Sequence, residues 1–464
     1  MTIPFPELAA IRLGTGLSPR LAPPPDPAAV LADAAAAAAR PPHVTTADAQ
    51  TAHREFSRLS RARNEAAKAA GDGKVPEAEA QAFKDYRKSL FQVSEGFLTL
   101  RLAQCAAAPV GFGERLVQFW ADHFTVRPSG PGLHPMAVAF VEEAIRPNIT
   151  GRFGDMLKAA ATHPAMLSFL DQNRSIGPRS PAAVRSRQPL GLNENLAREI
   201  LELHSVGVGA DYTQEDVRSL AKLLTGLNYE PGEERRFFPA RVEPGPDVVL
   251  GRSYGGTRPP QLDHILEALD DLAIRPETAR HLASKIATHF VSDTPEPGLV
   301  DALAAEWTAG GGDLSRVYAV LIDHPALARQ FREKIRQPFD FIAAALRALD
   351  ADPARLAGLG PKARRRVFLG PLDRMGQPWL AASGPDGWPE AAGAWIRPQL
   401  LAERIDWVMN IPQQLTEPLP DPRTFLQAAL GDTAGAGLVQ AVPRAESIRE
   451  GVGLVLASAE FNRR

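Results

Sequence analysis

The pattern of apolar and polar positions predicts a mostly helical chain. Apolar residues recur at three- and four-residue spacing through long stretches, and no convincing series of alternating β-branched residues marks a large sheet. Residues 27–40 predict an Ala-rich helix with Asp26 near its start. Two charged segments, around 46–70 and 76–107, are separated by GDGKVP at 71–76. Their broad polar faces predict a projecting helical hairpin or a cover over one side of the core. GFGERLVQFWADHFTV (Gly111–Val126) places Leu116, Phe119, Trp120 and His123 on one helical face. Helices are also expected over about 135–147, 153–170, 261–347, 397–410, 422–430 and 444–461, with Asp313 in N-cap position after a Gly turn.

Between these lie three loop-rich stretches. Residues 171–190 are rich in Arg, Ser and Pro, and 371–390 in Gly, Pro and Trp. Residues 229–258 are the one place where strands are expected, with DVVLG pairing back onto ERRFF as a short β-hairpin or flap near 233–251. With no fixed-period repeat and no evident linker, the expectation is an all-α, bundle-like single domain over 1–464.

The composition narrows the function classes. Against 54 acidic residues stand 52 basic ones, which argues against a nucleic-acid-binding surface as the main business. The lone Cys105, in LAQCAAAPV, excludes an intramolecular disulfide and reads as a small buried hydrophobe. The start of the sequence shows no signal-peptide pattern and no apolar run of spanning length follows, so the expected location is cytoplasmic, with no membrane span.

The densest chemistry lies in GLNENLAREILELHSVGVGADYTQEDV (Gly191–Val217). At about 100° per residue, Glu194, Ser205, Arg198, Glu202, Asn195 and Glu199 fill an arc of roughly 140°, and His204 falls among the apolar residues opposite. Glu194, Arg198 and Glu202 are successive i,i+4 partners. One reading is an exposed face laced with weak ion pairs. The other is a covered face on which Glu199 and Glu202 are desolvated and suited to proton transfer, glycoside hydrolysis or hard-cation binding. His123 and His204 are candidate supporting groups, though each reads first as a core histidine. Thr213, with Asp216 three residues on, predicts the start of the next helix. His281, Lys285 and His289 share a face at i, i+4, i+8 and read as a solvated or capping stripe. GTGLSPR and TAGGGD lack the context of phosphate loops and read as turns, and the E-L-H spacing is not that of a zinc protease. No metal site or cofactor is indicated.

The signature resembles that of an uncharacterised, predominantly helical bacterial family, the domain-of-unknown-function 1800 family. The similarity also runs through AAIRLGTGLSP (Ala9–Pro19), FWADHFTV, FLDQNRS (Phe169–Ser175), YTQEDVRSLAKLLTGL (Tyr212–Leu227), VVLG, TARHLASKIATHFVSD (Thr278–Asp293) and ASAEFNRR (Ala457–Arg464). The resemblance implies a companion from a second, sulfatase-like exported family, and hence periplasmic delivery with that partner. Asp122 stands where the family's W-x-N-H-F has Asn, Val242 and Glu243 where a His-acidic pair precedes Pro-Gly, and Asp247 near the place of a Lys. Two functions are therefore expected to compete. In the first, the chain is a binding or assembly partner engaging the sulfatase-like protein through 171–190, 231–258 and 371–390. In the second, it is a carboxylate-based hydrolase of a surface glycan, with Glu199 and Glu202 as acid and base. Asn193, Glu194, Asn195, Arg198, Asn173 and Arg174 are the candidate binding residues.

Overall fold

Several helices begin where a short polar side chain caps an orphan backbone N–H. Asp26, Asp313 and Thr213 accept from the backbone nitrogens of Ala29, Arg316 and Asp216, and Thr213 with Asp216 closes a full capping box. The computed structural model describes residues 3–70, 74–187, 191–231 and 236–464. Within them the chain is predominantly helical, and the sheet is a single two-stranded antiparallel ribbon. No helix among the described residues is long and apolar enough to cross a membrane.

The charged segments form two long helices, Thr46–Ala69 and Glu77–Ala107, packed along one another. Phe56 and Phe83 meet with ring centroids 5.4 Å apart, Arg63 lies over the Phe83 ring, and Tyr86 Oη donates to the Ala52 carbonyl. The second helix continues into the core. Phe97 joins an apolar cluster built mainly from residues 8–327, while Leu98 and Leu102 join a second cluster with residues 339–461.

Buried arginines tie these parts together. Glu114, fully enclosed, accepts from Arg40, Arg101 and Arg146 at 2.7, 3.1 and 2.8 Å. Around Asp340, Arg464 forms an ion pair while Arg12 donates to the Arg464 carbonyl at 2.7 Å and Arg336 to that of Phe461. Residues 9–17 and 457–464 are thus structural keystones. Each guanidinium offers several donors in a fixed fork, which suits it to gathering carbonyls from distant segments. Cys105 is buried and its thiol is pushed up to about 12 by desolvation, which makes it a packing residue.

The hairpin differs in its pairing from the sequence expectation. Strand β1 (Pro246–Val249) pairs with the following β2 (Arg252–Gly255), not with ERRFF. Residues 234 and 235 of ERRFF lie outside the described residues, and Phe237 makes an isolated bridge with Leu227. The reason is the turn. Leu250 and Gly251 both take positive φ, 48° and 84°, as a two-residue turn matched to strand twist requires. Asp216 holds it by accepting the Leu250 N–H at 2.8 Å.

Candidate functional site

The signature begins as a short α-helix, Asn195–Glu199, and then widens into a π turn, Ile200–His204. Asn193 starts it. Its side-chain oxygen accepts the Asn195 N–H at 2.9 Å, and its amide donates to the Asp171 carbonyl at 3.1 Å. The residue therefore fastens the 170–175 loop to the helix.

The π turn leaves carbonyls without intrahelical partners, and side chains from three directions satisfy them. Ser205 Oγ donates to Ile200 at 2.6 Å, and the Gly207 N–H to Leu201 at 3.0 Å. His281 Nε2–H donates to Leu203 at 3.2 Å and His123 Nε2–H to His204 at 3.3 Å. Gly207 sits at φ +92° so close to His281 that a Cβ there would lie 2.7 Å from the ring. This widening also breaks the regular wheel. Ser205, expected on the polar arc, is fully buried beyond the end of the helix.

His123 and His204 are both buried, with ring centroids 5.8 Å apart, among Trp120, Phe124 and Phe153. Burial, with the nearby Lys285 charge, holds His123 well below its ordinary range and His204 at about 3. Both are neutral core groups. Among the described residues His123 Nδ1 and His204 Nε2 have no hydrogen-bond partner.

The carboxylates divide. Glu202 is paired with Arg198 at 3.2 Å, and Arg198 reaches Glu194 at 3.4 Å. Glu194 also accepts from Gln214 at 2.8 Å. Glu199 makes no ion pair among the described residues, and burial together with the Glu202 charge raises its pKa. Asn195 is exposed, and Arg174, also exposed, lies 3.5 Å from Asp171. Asn173 contributes its carbonyl to Arg241 at 2.6 Å. The structure thus gathers Glu194, Arg198, Glu202 and Gln214 into one surface network, keeps His123 and His204 in the core behind it, and sends Arg174 elsewhere.

The His281/Lys285/His289 stripe is not solvated: His281 and Lys285 are half-buried, His289 is buried, and His281 caps the Leu203 carbonyl. Leu282, Ile286 and Phe290 flank it within the core. His289 Nδ1 bonds Glu390 at 2.6 Å, and Lys334 holds Glu390 at 2.9 Å and Asp293 at 2.7 Å. Burial alone would raise Glu390, but His289 and Lys334 keep it far below the usual carboxylate range. Lys285 forms no ion pair among the described residues; burial lowers its pKa against the pull of Asp122, Glu390 and Asp386. The 375–390 loop closes over this network. Asp122 accepts the Trp388 N–H, and Trp379 Nε1–H donates to Ser94. The i, i+4, i+8 spacing was the available signal for this network. Among the described residues, no three His, Cys, Asp or Glu side chains come together as a metal-ligand group.

A second site surrounds the hairpin. Segments 177–185 and 237–264 enclose a cavity of about 420 Å³, and are pinned by Gly177 N–H to the Arg241 carbonyl (2.9 Å) and Arg179 to Glu243 (2.6 Å). The sequence marks both wall segments as loop-rich but none of the lining residues as a candidate, because the walls meet from segments some sixty residues apart.

The family described as "Protein of unknown function (DUF1800)" matches residues 11–463. The chain belongs to the DUF1800 family. The match takes in Arg12, the signature turn and the His281/Lys285/His289 stripe of this DUF1800 chain. No curated protein and no solved structure matches it.

Proposed function

We propose that this DUF1800 protein is a binding and assembly protein that engages a protein partner, of the sulfatase-like exported class, through the surface formed by 171–187 and 236–264. One observation carries the reading: these two loop segments are locked together around a preformed cavity of about 420 Å³, within the size range of ligand-binding clefts. Arg241 donates to the carbonyls of both Asn173 and Ser175, so the surface is ordered before any partner arrives. The 371–390 stretch, expected on the same face, is instead committed to internal contacts with Asp122, Ser94, His289 and Lys334.

A tagged pull-down from cytoplasmic and periplasmic fractions tests this. Stoichiometric recovery of a sulfatase-like protein, lost on Glu243→Ala, is expected. Recovery of the chain alone from both fractions overturns the reading.

One observation favours glycan hydrolysis as the second reading: Glu199 is half-buried, raised in pKa and without an ion-pair partner among the described residues. Against it, Glu202 is neutralised by Arg198, and neither carboxylate lines the cavity. A glycosidase activity abolished by Glu199→Gln at unchanged melting temperature would establish this alternative.

A further inference from the structure

The hairpin cavity carries an unanswered charge. Alternation along β1 sends Asp247 and Val249 inward and leaves Pro246 and Val248 exposed. Asp247 is only 9% exposed and lines the cavity, and its carboxylate has no hydrogen-bond or ion-pair partner among the described residues. The neighbouring Glu243 is already satisfied, its two oxygens taking Arg179 Nε–H at 2.6 Å and the Arg179 backbone N–H at 2.8 Å. Lys222, whose charge also reaches Asp247, is engaged by Glu215 at 3.5 Å. Leu223, Phe237, Val242 and four prolines supply an apolar wall.

A carboxylate largely withdrawn from solvent and without a protein partner is disfavoured, and a cationic donor entering the cavity beside it offsets that cost. The apolar wall suits a hydrocarbon stem. A lysine fits this arrangement, with a four-carbon stem for the apolar wall and a compact ammonium for the one carboxylate that Glu243 leaves free.

We propose that the hairpin cavity receives a lysine side chain of the partner, with its methylenes against Phe237, Val242 and Leu223 and its ammonium on the Asp247 carboxylate. The inference rests on the partner reading above and assigns that surface its chemistry. Burial raises Asp247 to about 6, with Glu243 and Glu215 adding to the shift and Lys222 and Arg179 opposing it; Arg258 and His264 complete the charged and titratable wall. Lysine binding therefore weakens as pH falls below about 6, where the carboxylate is protonated.

Saturation-transfer NMR with N-acetyl-lysine methylamide and N-acetyl-norleucine methylamide tests the site without any partner. At pH 7.5 the lysine compound is expected to bind at least tenfold better than the norleucine compound. That preference disappears at pH 5 and in Asp247→Asn, whose melting temperature verifies folding. Equal binding of the two compounds, or an unchanged preference in folded Asp247→Asn, overturns the proposal. Capture of the partner by Asp247→Asn at the wild-type level overturns lysine insertion and leaves the partner reading standing. Lysine-selective binding with no partner captured supports the amine site and counts against the partner reading.

Discussion

The Asp122 carboxylate accepts the backbone N–H of Trp388 at 3.0 Å, which seats the 384–390 loop on the end of the Phe112–His123 helix. Gly387 makes the approach feasible: it sits at φ +78°, and a Cβ there would lie 2.7 Å from the Asp122 carbonyl oxygen. Asp122→Ala leaves the Trp388 N–H without its acceptor and is expected to cost about 1–3 kcal/mol. Hydrogen exchange over 384–390 should speed up with it; unchanged exchange there would show that the bond does not hold the loop.

The same carboxyl predicts a pH dependence. Burial, with the Glu390 charge, raises Asp122 from 3.8 to about 8. A raised acid holds its proton more tightly when folded, so its contribution is complete below its ordinary value and is lost as pH rises through about 8. Asp122→Asn, which restores the residue expected in the family pattern, cannot ionise. Its melting temperature should exceed the wild type's at pH 8.5, and the difference should shrink towards pH 5.

Buried histidines act in the opposite direction. His204 is depressed to about 3 and His289 to about 4, both chiefly by burial. A depressed base is stabilising while neutral in both states, and that contribution is lost as pH falls from 6.5 towards the folded value. Thermal stability of the wild type should therefore drop between pH 6.5 and 4. His204→Gln should show a shallower slope over that interval in melts recorded at fixed ionic strength.

How far the sequence foretold this structure depends on the kind of evidence each residue carried. Asp26, Thr213 and Asp313 were legible because capping is local: one side chain and the backbone N–H three residues ahead decide it. Family membership was legible from a motif that runs through contiguous residues. The placement of Ser205 was not, because a regular wheel assumes a constant turn and the chain widens at Ile200. The burial of His289 depended on Glu390 and Lys334, which reach it from elsewhere in the chain. The hairpin partner was missed because the two-residue turn at Leu250–Gly251 lacks the usual Asn-Gly signal.

The His123 imidazole is expected to matter for stability through the π turn it caps. His123→Phe keeps the ring volume but removes the donor to the His204 carbonyl, at a cost of about 1–3 kcal/mol; His123→Ala adds a cavity and costs more. Urea denaturation of both variants checks the order. Glu202→Gln, by contrast, removes one partly exposed ion pair and should change stability by no more than about 1 kcal/mol.

The most direct test of the assembly account is a hydrogen-exchange footprint of the chain within its captured complex. The account predicts new protection over 171–187 and 236–264, with the Asn195–Glu199 helix unchanged. Protection confined to that helix, with the loop segments exchanging as they do in the free chain, would contradict it.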